Sequence, residues 1–266
     1  MAPAALVEPV ATLMRTVAAE VVMPRFRALA EGEIIEKAPG DLVTVADREA
    51  EARLAEGLSR LLPSARMIGE EACAADPTLL DNIGEGCAWI VDPIDGTHNY
   101  ASGIRPFAIM VALVEEGETQ AGWILDAASG RLCHAVAGGG AFVDGEAVCA
   151  SGTGEQRPVA ALALRYLPAD LRERLIGRMT GKLSEAAIPL CAGEQYPRVV
   201  LGENDVALFW RALPWDHAPG ALFLAEAGGR LARFDGTPYR VDQTGTGLIA
   251  AATPALWDEA ARILVG

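Results

Sequence analysis

The sequence has few basic residues for its number of acidic ones, and its cysteines do not fall into a recognised motif. Each of these features excludes a class of protein. Its 266 residues contain 22 Lys and Arg against 36 Asp and Glu, which gives a net charge of -14. Such a chain would be repelled by a phosphate backbone, which argues against nucleic-acid binding. The five cysteines show no CxxC spacing. They therefore indicate reduced thiols rather than a zinc or disulfide framework.

Long apolar runs are missing as well. No segment approaches the ~20 apolar residues that span a bilayer, and residues 1–4 lack the basic start of a cleavable leader. We therefore expect a cytoplasmic protein that acts on a small molecule, not on a membrane. Because 51% of the residues are apolar, the chain can bury a real core as one large or two small domains.

The most informative segment is an apolar run, residues 89–91, that stops at Asp92 and Asp95. The run indicates a buried strand, and open α/β sheets place their chemistry where strands end. Two like charges so close repel each other unless a cation lies between them, and a hard divalent ion is the simplest candidate. Gly96 and Thr97 are typical of a helix start, where free N–H groups favour an anion. A cation site beside an anion site is the layout of a phosphate enzyme; the alternative is that the two Asp only cap a helix or form a turn.

Two further acidic segments follow the same plan. Glu70 and Glu71 come directly after an apolar stretch and Gly69, although exposed Glu pairs are common and often only solvated. Asp216 stands at the expected N-cap of a helix that has Pro219 in its first turn. A cap is the simpler interpretation of Asp216 alone. Together, the three segments place acidic groups at three junctions between elements.

These residues resemble the signature motifs of the inositol monophosphatase family, which are Mg²⁺-dependent, lithium-sensitive phosphomonoesterases. The resemblance spans roughly residues 5 to 265 and keeps the family's order and spacing. It is carried by Gly-Asp-Leu-Val-Thr-Val-Ala-Asp at 40–47, Ile-Gly-Glu-Glu at 68–71, Asp-Pro-Ile-Asp-Gly-Thr at 92–97 and Trp-Asp-His-Ala-Pro-Gly at 215–220. It implies a layered αβαβα sandwich and a homodimer.

The resemblance also implies a set of metal ligands. Glu70, Asp92 and the backbone carbonyl of Ile94 would hold a first Mg²⁺. Asp92, Asp95 and Asp216 would hold a second, and a third, weaker site would use Glu70 and water. This donor set suits the ion, because Mg²⁺ prefers oxygen ligands and keeps several of its waters.

The remaining implied roles concern phosphate and water. The N–H groups of Gly96 and Thr97 would hold phosphate oxygens. Thr97 and Asp47, together with Glu70, would orient and deprotonate the attacking water, which a divalent ion makes acidic enough to react near neutral pH. Lys37 stands where family members carry a mobile lysine, although it could equally be a solvated side chain.

The expected substrate contacts depart from the family pattern. Residues 192–197, Ala-Gly-Glu-Gln-Tyr-Pro, replace a Gly-Ser-Ala-like turn, and Arg211 is nearest to the position of a family Glu that binds inositol hydroxyls. A guanidinium cannot accept hydrogen bonds from hydroxyls. We therefore expect Gly193, Glu194, Tyr196 and Arg211 to contact a different leaving group, one with a second phosphate, a carboxylate or an amine. The alternative is that Tyr196 packs in the core and Arg211 is solvated.

The periodicity predicts an α+β subdomain with a largely antiparallel sheet over residues 1–150, and a smaller α/β subdomain over 151–266 that completes the cleft with Asp216. Helices are predicted over 4–30 and 47–62, a hairpin around 115–118, and second-half strands at 159–164, 186–190, 206–209 and 248–251. The three histidines, His98, His134 and His217, are expected in structural or edge roles.

The sequence thus predicts an enzyme that hydrolyses a small sugar or polyol phosphate, similar to inositol 1-phosphate, by attack of metal-activated water with two or three Mg²⁺. Histidinol phosphate, fructose 1,6-bisphosphate and a 3′-phosphoadenosine nucleotide are alternative substrates. A non-catalytic binding protein that retains the fold is the alternative from another class.

Overall fold

Two β-sheets and a short hairpin organise the chain in the computed structural model, which describes residues 2–30, 32–38, 41–243 and 245–266. The hairpin consists of β1 (Ile34–Ala38) and β2 (Asp41–Thr44). The first sheet contains, in spatial order, β3 (Arg66–Gly69), β4 (Cys87–Asp95), β5 (Ala108–Glu115), β6 (Glu118–Asp126), β7 (Leu132–Val136), β8 (Gly140–Val143) and β9 (Glu146–Val148). Apart from the parallel pair β3–β4, its neighbouring strands are antiparallel, as predicted for the first half.

The second sheet is mixed and lies wholly after residue 150. Its strands are, in spatial order, β11 (Ser184–Glu185), β10 (Val159–Leu162), β12 (Val206–Phe209), β14 (Leu248–Ala251) and β13 (Arg230–Arg233). β10 is parallel to both of its neighbours, whereas β14 is antiparallel to its two neighbours, β12 and β13. The two sheets thus fall on either side of the boundary at residue 150, and the division into two subdomains stays a prediction.

Helices cover both sheets and fill the space between them. They are α1 (Val7–Val17), α2 (Met23–Arg25), α3 (Val45–Leu61), α4 (Glu70–Ala75), α5 (Thr97–Ala101), α6 (Ala169–Met179), α7 (Ala192–Val200), α8 (Pro214–Glu226) and α9 (Pro254–Leu264). α1 and α3 pack on the outer face of the first sheet, α7 and α8 lie between the sheets, and α6 and α9 cover the second sheet. The αβαβα layering is confirmed.

Burial on both faces explains why β4 and β5 are almost continuously apolar. Trp89 and Trp123 pack beneath α1 and α3. Met110 and Phe223 fill the layer between the sheets, where α8 crosses the first sheet. Within the described ranges, no helix has the length and apolar character to cross a bilayer.

Two helix predictions are confirmed with shifted ends. The N-terminal helical stretch ends at Arg25 rather than at residue 30, and Pro24 lies inside α2. α3 begins at Val45, two residues before the prediction, because Thr44 and Asp47 form a capping box that satisfies the first N–H groups of the helix. Pro39 and Gly40, a Pro-Gly pair that is typical of a turn, lie outside the described residues.

In the second half one predicted strand is wrong and another was not predicted. Residues 186–190 form no strand, and Leu190 adopts a left-handed φ of 56°. The β-structure there is limited to β11, which precedes this apolar stretch. β13 was not predicted because its two arginines interrupt the apolar pattern.

Candidate active site

A β-bulge at the end of β4 brings Asp92 and Asp95 to one side of the sheet. Asp92 pairs with Met110 and Asp95 pairs with Ala108, so three steps along β4 match two along β5. Side chains alternate along a regular strand, so residues three apart would otherwise point to opposite faces. The extra residue corrects this mismatch, as bulges next to active sites commonly do. Both carboxylates therefore line the same cavity.

Glu70 is the first residue of α4, and the buried Glu51 fixes the start of that helix. The two carboxylate oxygens of Glu51 accept hydrogen bonds from the N–H groups of Glu71 and Ala72, each at 2.8 Å. A Cβ at position 69 would lie 2.3 Å from the Glu51 carboxyl carbon, which explains why Gly69 precedes the Glu pair. Glu51 was not among the predicted site residues.

Asp216 enters the cavity from the first turn of α8. This helix begins at Pro214, with Leu213 as its N-cap, so Asp216 is the third helical residue and not the predicted cap. Proline favours the first helical position, where its missing N–H costs nothing, and the helix starts three residues earlier than expected. The Asp216 carboxylate lines the cavity from this first turn.

The predicted metal and phosphate residues converge on one cavity of about 330 Å³. Those that line it are Glu70, Asp92, Ile94, Asp95, Gly96, Thr97 and Asp216. Lys37, His98 and Arg211 also contribute to its walls. Gly96 turns the chain from β4 into α5 with a left-handed φ of 84°, a conformation that glycine adopts without strain.

The carboxylates of this cavity repel one another strongly. Asp92 is only 2% exposed. Burial raises its pKa well above the usual range, and the neighbouring charges of Glu70, Asp95 and Asp216 raise it further. Such a group must bind either protons or a cation to offset the repulsion.

Burial also raises the pKa values of the carboxyl groups near Asp92. Burial raises the pKa of Glu70 to about 7, although Lys37 opposes the rise. Burial also raises the pKa of Asp47 to about 6. For Asp95, burial again raises the pKa, while the Cys191 thiol and a backbone N–H oppose it by donating hydrogen bonds.

The donor chemistry fits Mg²⁺, because carboxylates and one carbonyl are the hard oxygen ligands it prefers. In the part of the chain that is described, no group of three or more His, Cys, Asp or Glu side chains stands ready-made for an ion. Protein donors account for some of these oxygens: the Lys37 ammonium lies 3.2 Å from Glu70 Oε1, and Asp95 Oδ2 accepts from Gly193 N–H at 2.6 Å. We infer that ion binding requires Lys37 to move away from Glu70.

Thr97 connects the cavity to Asp47. Its Oγ1 lies 3.3 Å from Asp47 Oδ1 and 3.0 Å from the carbonyl oxygen of Ile94. Asp47 Oδ2 in turn accepts from the N–H and hydroxyl groups of Thr44, at 2.8 and 2.5 Å. Because the hydroxyl carries one proton, it donates to only one of its two acceptors at a time.

Gly193, predicted as a substrate contact, supports Asp95. Besides its N–H bond to Asp95, its position leaves no room for a side chain: a Cβ would lie 2.7 Å from the Ala108 Cβ and 3.2 Å from Asp95 Oδ2. Cys191, two residues earlier, donates from Sγ to the same oxygen at 2.9 Å. The start of α7 thus orients one of the candidate ligands.

Glu194 and Tyr196, both predicted as substrate contacts, interact with other side chains of the protein. Glu194 pairs with Arg131 and, at 2.8 Å, with Arg198. Tyr196 is completely buried, and its hydroxyl lies 2.8 Å from His217 Nδ1. The alternative interpretation of Tyr196 as a core residue therefore describes its environment.

Arg211, in contrast, does line the cavity, and it is accompanied by residues that the sequence interpretation missed. These are Arg165, Tyr166, Leu190 and Trp215, together with Cys191 and Gln195 in an adjoining cavity. Arg165 and Tyr166 come shortly after β10, so their place beyond a predicted strand was the signal that could have found them.

Replacing Gly193 by Ala is expected to weaken the fold and the cation site together. The new methyl group must displace Ala108 or Asp95, so we expect the free energy of unfolding to fall by about 1–3 kcal/mol and Mg²⁺ affinity to fall with it. Urea unfolding and Mg²⁺ titration measure the two effects. Gly177→Ala is the matched control: its Cβ meets no atom within 4 Å in α6, and it should stabilise by about 0.5–1 kcal/mol.

The stabilisation that Mg²⁺ provides is expected to grow with pH. The folded-state pKa of Asp47 is about 6 and that of Glu70 about 7, both above their unfolded values. A raised acid pKa means that the folded protein holds extra protons, so its stability without metal falls as pH rises through these values. The melting temperature with Mg²⁺ minus that with chelator should therefore rise by several degrees from about pH 5 to 8. Burial lowers the pKa of His217 to about 4, but its contribution cancels in this difference.

A pH-independent difference would contradict this electrostatic description. The Asp92→Asn variant is the internal control, because it removes the most strongly perturbed carboxyl. For this variant, the melting temperature with Mg²⁺ minus that with chelator should be smaller and should change less with pH.

Comparison with known proteins identifies the family to which the chain is similar. The sequence model of the inositol monophosphatase family matches residues 5–265. An inositol-1-monophosphatase of Bacillus subtilis is 31% identical over 208 residues, which is 76% of this chain and 76% of the relative. A histidinol-phosphatase of Chlorobaculum parvum is 31% identical over 223 residues, covering 82% of each chain.

The structure is also similar to solved structures of this family. An IMPase structure from Thermotoga maritima superposes with a TM-score of 0.79 at 27% identity, covering 96% of this chain and 94% of that one. Members of the family are phosphomonoesterases and generally depend on Mg²⁺. The sequence match over nearly the whole length, the layered fold and the carboxylate cavity lead to one conclusion: this chain belongs to the inositol monophosphatase family and is a phosphoric monoester hydrolase.

Proposed function

We propose that the protein hydrolyses a small sugar or polyol phosphate with two or three Mg²⁺ ions. The observation that carries the proposal is the convergence of four carboxylates, Glu70, Asp92, Asp95 and Asp216, on one cavity whose edge is formed by the turn at residues 96–97. Excess negative charge would make this cavity a poor site for phosphate on its own. Bound cations reverse the sign of the local field and make phosphate binding favourable.

The four carboxylates and the Ile94 carbonyl would hold the ions. When bound, Mg²⁺ lowers the pKa of water and neutralises charge that develops on the departing oxygen. In the hydrolysis, water oxygen bonds to phosphorus, the P–O bond to the leaving group breaks, and the leaving oxygen takes up a proton. The N–H groups of Gly96 and Thr97 would orient the phosphate oxygens.

Thr97, Asp47 and Glu70 would share the proton of the attacking water. The Thr97 hydroxyl can donate to Asp47 Oδ1, which leaves its lone pair available to accept from water. An acceptor placed in this way both orients the water and starts its deprotonation. Glu70 would provide a second acceptor.

The Thr97→Ala variant is expected to lose about 10²–10⁴-fold in kcat, the range typical of a general acid–base contribution. Thr97→Ser keeps the hydroxyl and should retain most of the activity. Steady-state kinetics of both variants, with circular dichroism to check folding, measure the effect. Equal losses in the two variants would show that the methyl group, not the hydroxyl, matters.

A phosphate-release screen with Mg²⁺ tests the proposed function. It compares inositol 1-phosphate, histidinol phosphate, fructose 1,6-bisphosphate and 3′-phosphoadenosine 5′-phosphate at equal concentrations. We expect Mg²⁺-dependent release that stops on chelation, with the sugar or polyol phosphate as the preferred class. Preference for histidinol phosphate would correct the substrate class, and absence of release from every compound would contradict the hydrolytic proposal.

A further inference from the structure

Two arginines lie against one exposed tyrosine at the mouth of the carboxylate cavity. The guanidinium carbon of Arg165 is 4.4 Å from the centre of the Tyr166 ring, and that of Arg211 is 5.1 Å from the same centre. The Arg165 guanidinium also donates to the Tyr166 hydroxyl. Neither arginine forms an ion pair with a carboxylate among the described residues. In a chain with 36 acidic residues, two such neighbouring cations are an unusual arrangement.

The pair stands where two cavities meet. The carboxylate cavity of about 330 Å³ adjoins a smaller one of about 120 Å³. The residues that line both are Asp95, Arg165, Tyr166, Leu190, Arg211 and Asp216. A phosphate ester whose phosphorus lies near Asp95 and Asp216 would therefore carry its leaving group past the two arginines into the smaller cavity.

The smaller cavity has a mixed lining with one buried acceptor. Its walls include the apolar side chains of Ala161, Leu208 and Phe209. Gln195 is only 3% exposed, and its Nε2 donates to Asn204, but its Oε1 has no hydrogen-bond partner. A buried amide oxygen of this kind accepts a hydrogen bond from a hydroxyl or amine of a ligand.

A hydrogen bond from His217 fixes the backbone of Arg211. His217 Nε2 lies 2.9 Å from the Arg211 carbonyl oxygen, which can only accept, so the imidazole carries its proton on Nε2. His217 Nδ1 is then the acceptor of the Tyr196 hydroxyl at 2.8 Å. Because His217 directly follows Asp216, this bond fixes the Arg211 segment relative to the cation site.

We propose that Arg165 and Arg211 bind a second anionic group on the leaving group of the substrate, a phosphate or a carboxylate. The inference rests on the proposed phosphatase function and narrows its substrate class to doubly anionic phosphate esters. Two like charges that contact the same ring repel each other, and an anion that reaches both guanidinium groups offsets that repulsion while forming charge-assisted hydrogen bonds. Arginine suits this role because its planar fork matches carboxylate and phosphate oxygens.

Matched substrate pairs test the assignment and separate the two anions. Glycerol 3-phosphate and 3-phosphoglycerate differ by a hydroxymethyl group against a carboxylate. Fructose 1-phosphate and fructose 1,6-bisphosphate differ by a hydroxyl against a phosphate. The kcat/KM of each compound is measured with Mg²⁺ for the wild type, Arg165→Gln, Arg211→Gln, the double variant and Arg211→Lys, with Arg172→Gln on α6 as an exposed control of equal charge change.

The wild type should prefer the doubly anionic member of at least one pair by at least about tenfold. That preference should fall about tenfold or more in the double variant, mainly through KM, and Arg211→Lys should retain part of it. Arg172→Gln should leave it unchanged. A preference in the first pair alone assigns a carboxylate, and a preference in the second alone assigns a phosphate.

Equal wild-type rates within both pairs would overturn the assignment, while measurable hydrolysis of glycerol 3-phosphate would leave the phosphatase proposal intact. A double variant that lowers both members of a pair equally would also overturn it, because the arginines would then act on the shared phosphate. Absence of hydrolysis of all four compounds would overturn the assignment, and release of phosphate from inositol 1-phosphate would then show that the phosphatase proposal stands.

Discussion

Replacing Asp95 by Asn is expected to lower kcat by at least about 10³-fold while the fold is retained. The carboxylate lines the cavity beside Asp92 and Asp216, and an amide there removes one of the negative charges that a divalent ion needs. The amide oxygen can still accept the hydrogen bonds from Gly193 and Cys191. Stability without metal should therefore be equal or higher, because one source of buried repulsion has been removed.

Phosphate-release kinetics and thermal unfolding measure the two effects. Asp170→Asn, an exposed substitution on α6, is the matched control and should leave turnover unchanged. A folded Asp95→Asn protein with near-normal turnover would exclude this carboxylate from catalysis. If the chain were a non-catalytic binding protein, neither variant would differ from the wild type in phosphate release.

Removal of Mg²⁺ is expected to lower the affinity for inorganic phosphate by at least about 100-fold. The cavity contains several carboxylates, and at close range each like-charge pair costs about 4 kcal/mol at an effective dielectric constant near 20. Bound cations replace that repulsion by attraction. Isothermal titration with phosphate, in Mg²⁺ and then in chelator, measures the difference.

The effect of Asp92→Asn on phosphate affinity should have opposite signs with and without Mg²⁺. Without metal it should bind phosphate more tightly than the wild type, because one buried negative charge is gone. With Mg²⁺ it should bind more weakly, because an ion ligand is gone. Unchanged phosphate affinity of the wild type after chelation would contradict the idea that metal supplies the positive field.

The cavity's acidic lining could be predicted from sequence because its signals are local. The pair Asp92 and Asp95 ends an apolar strand, Glu70 follows another, and Asp216 lies in the first turn of a helix, so each junction is visible within a few residues. Their order and spacing matched a known family, which supplied the distant pairing that local patterns lack. The cavity that joins them is the structural counterpart of that prediction.

Other features depend on contacts that no local pattern encodes. The bulge that aligns Asp92 with Asp95 exists only relative to β5. Glu194 pairs with Arg131, which lies 63 residues away in the sequence. The residues around Glu194 therefore give no sign of this ion pair. Arg165 and Arg211 meet only because both lie against Tyr166.

The central claim is that these carboxylates form a divalent-cation site. Diffraction from crystals soaked in Mn²⁺, with an anomalous difference map, tests it most directly. We expect anomalous peaks in the cavity with oxygens of Glu70, Asp92, Asp95 and Asp216 within about 2.5 Å of the ions. A map without such peaks at saturating Mn²⁺, with Glu70 still paired to Lys37, would contradict it.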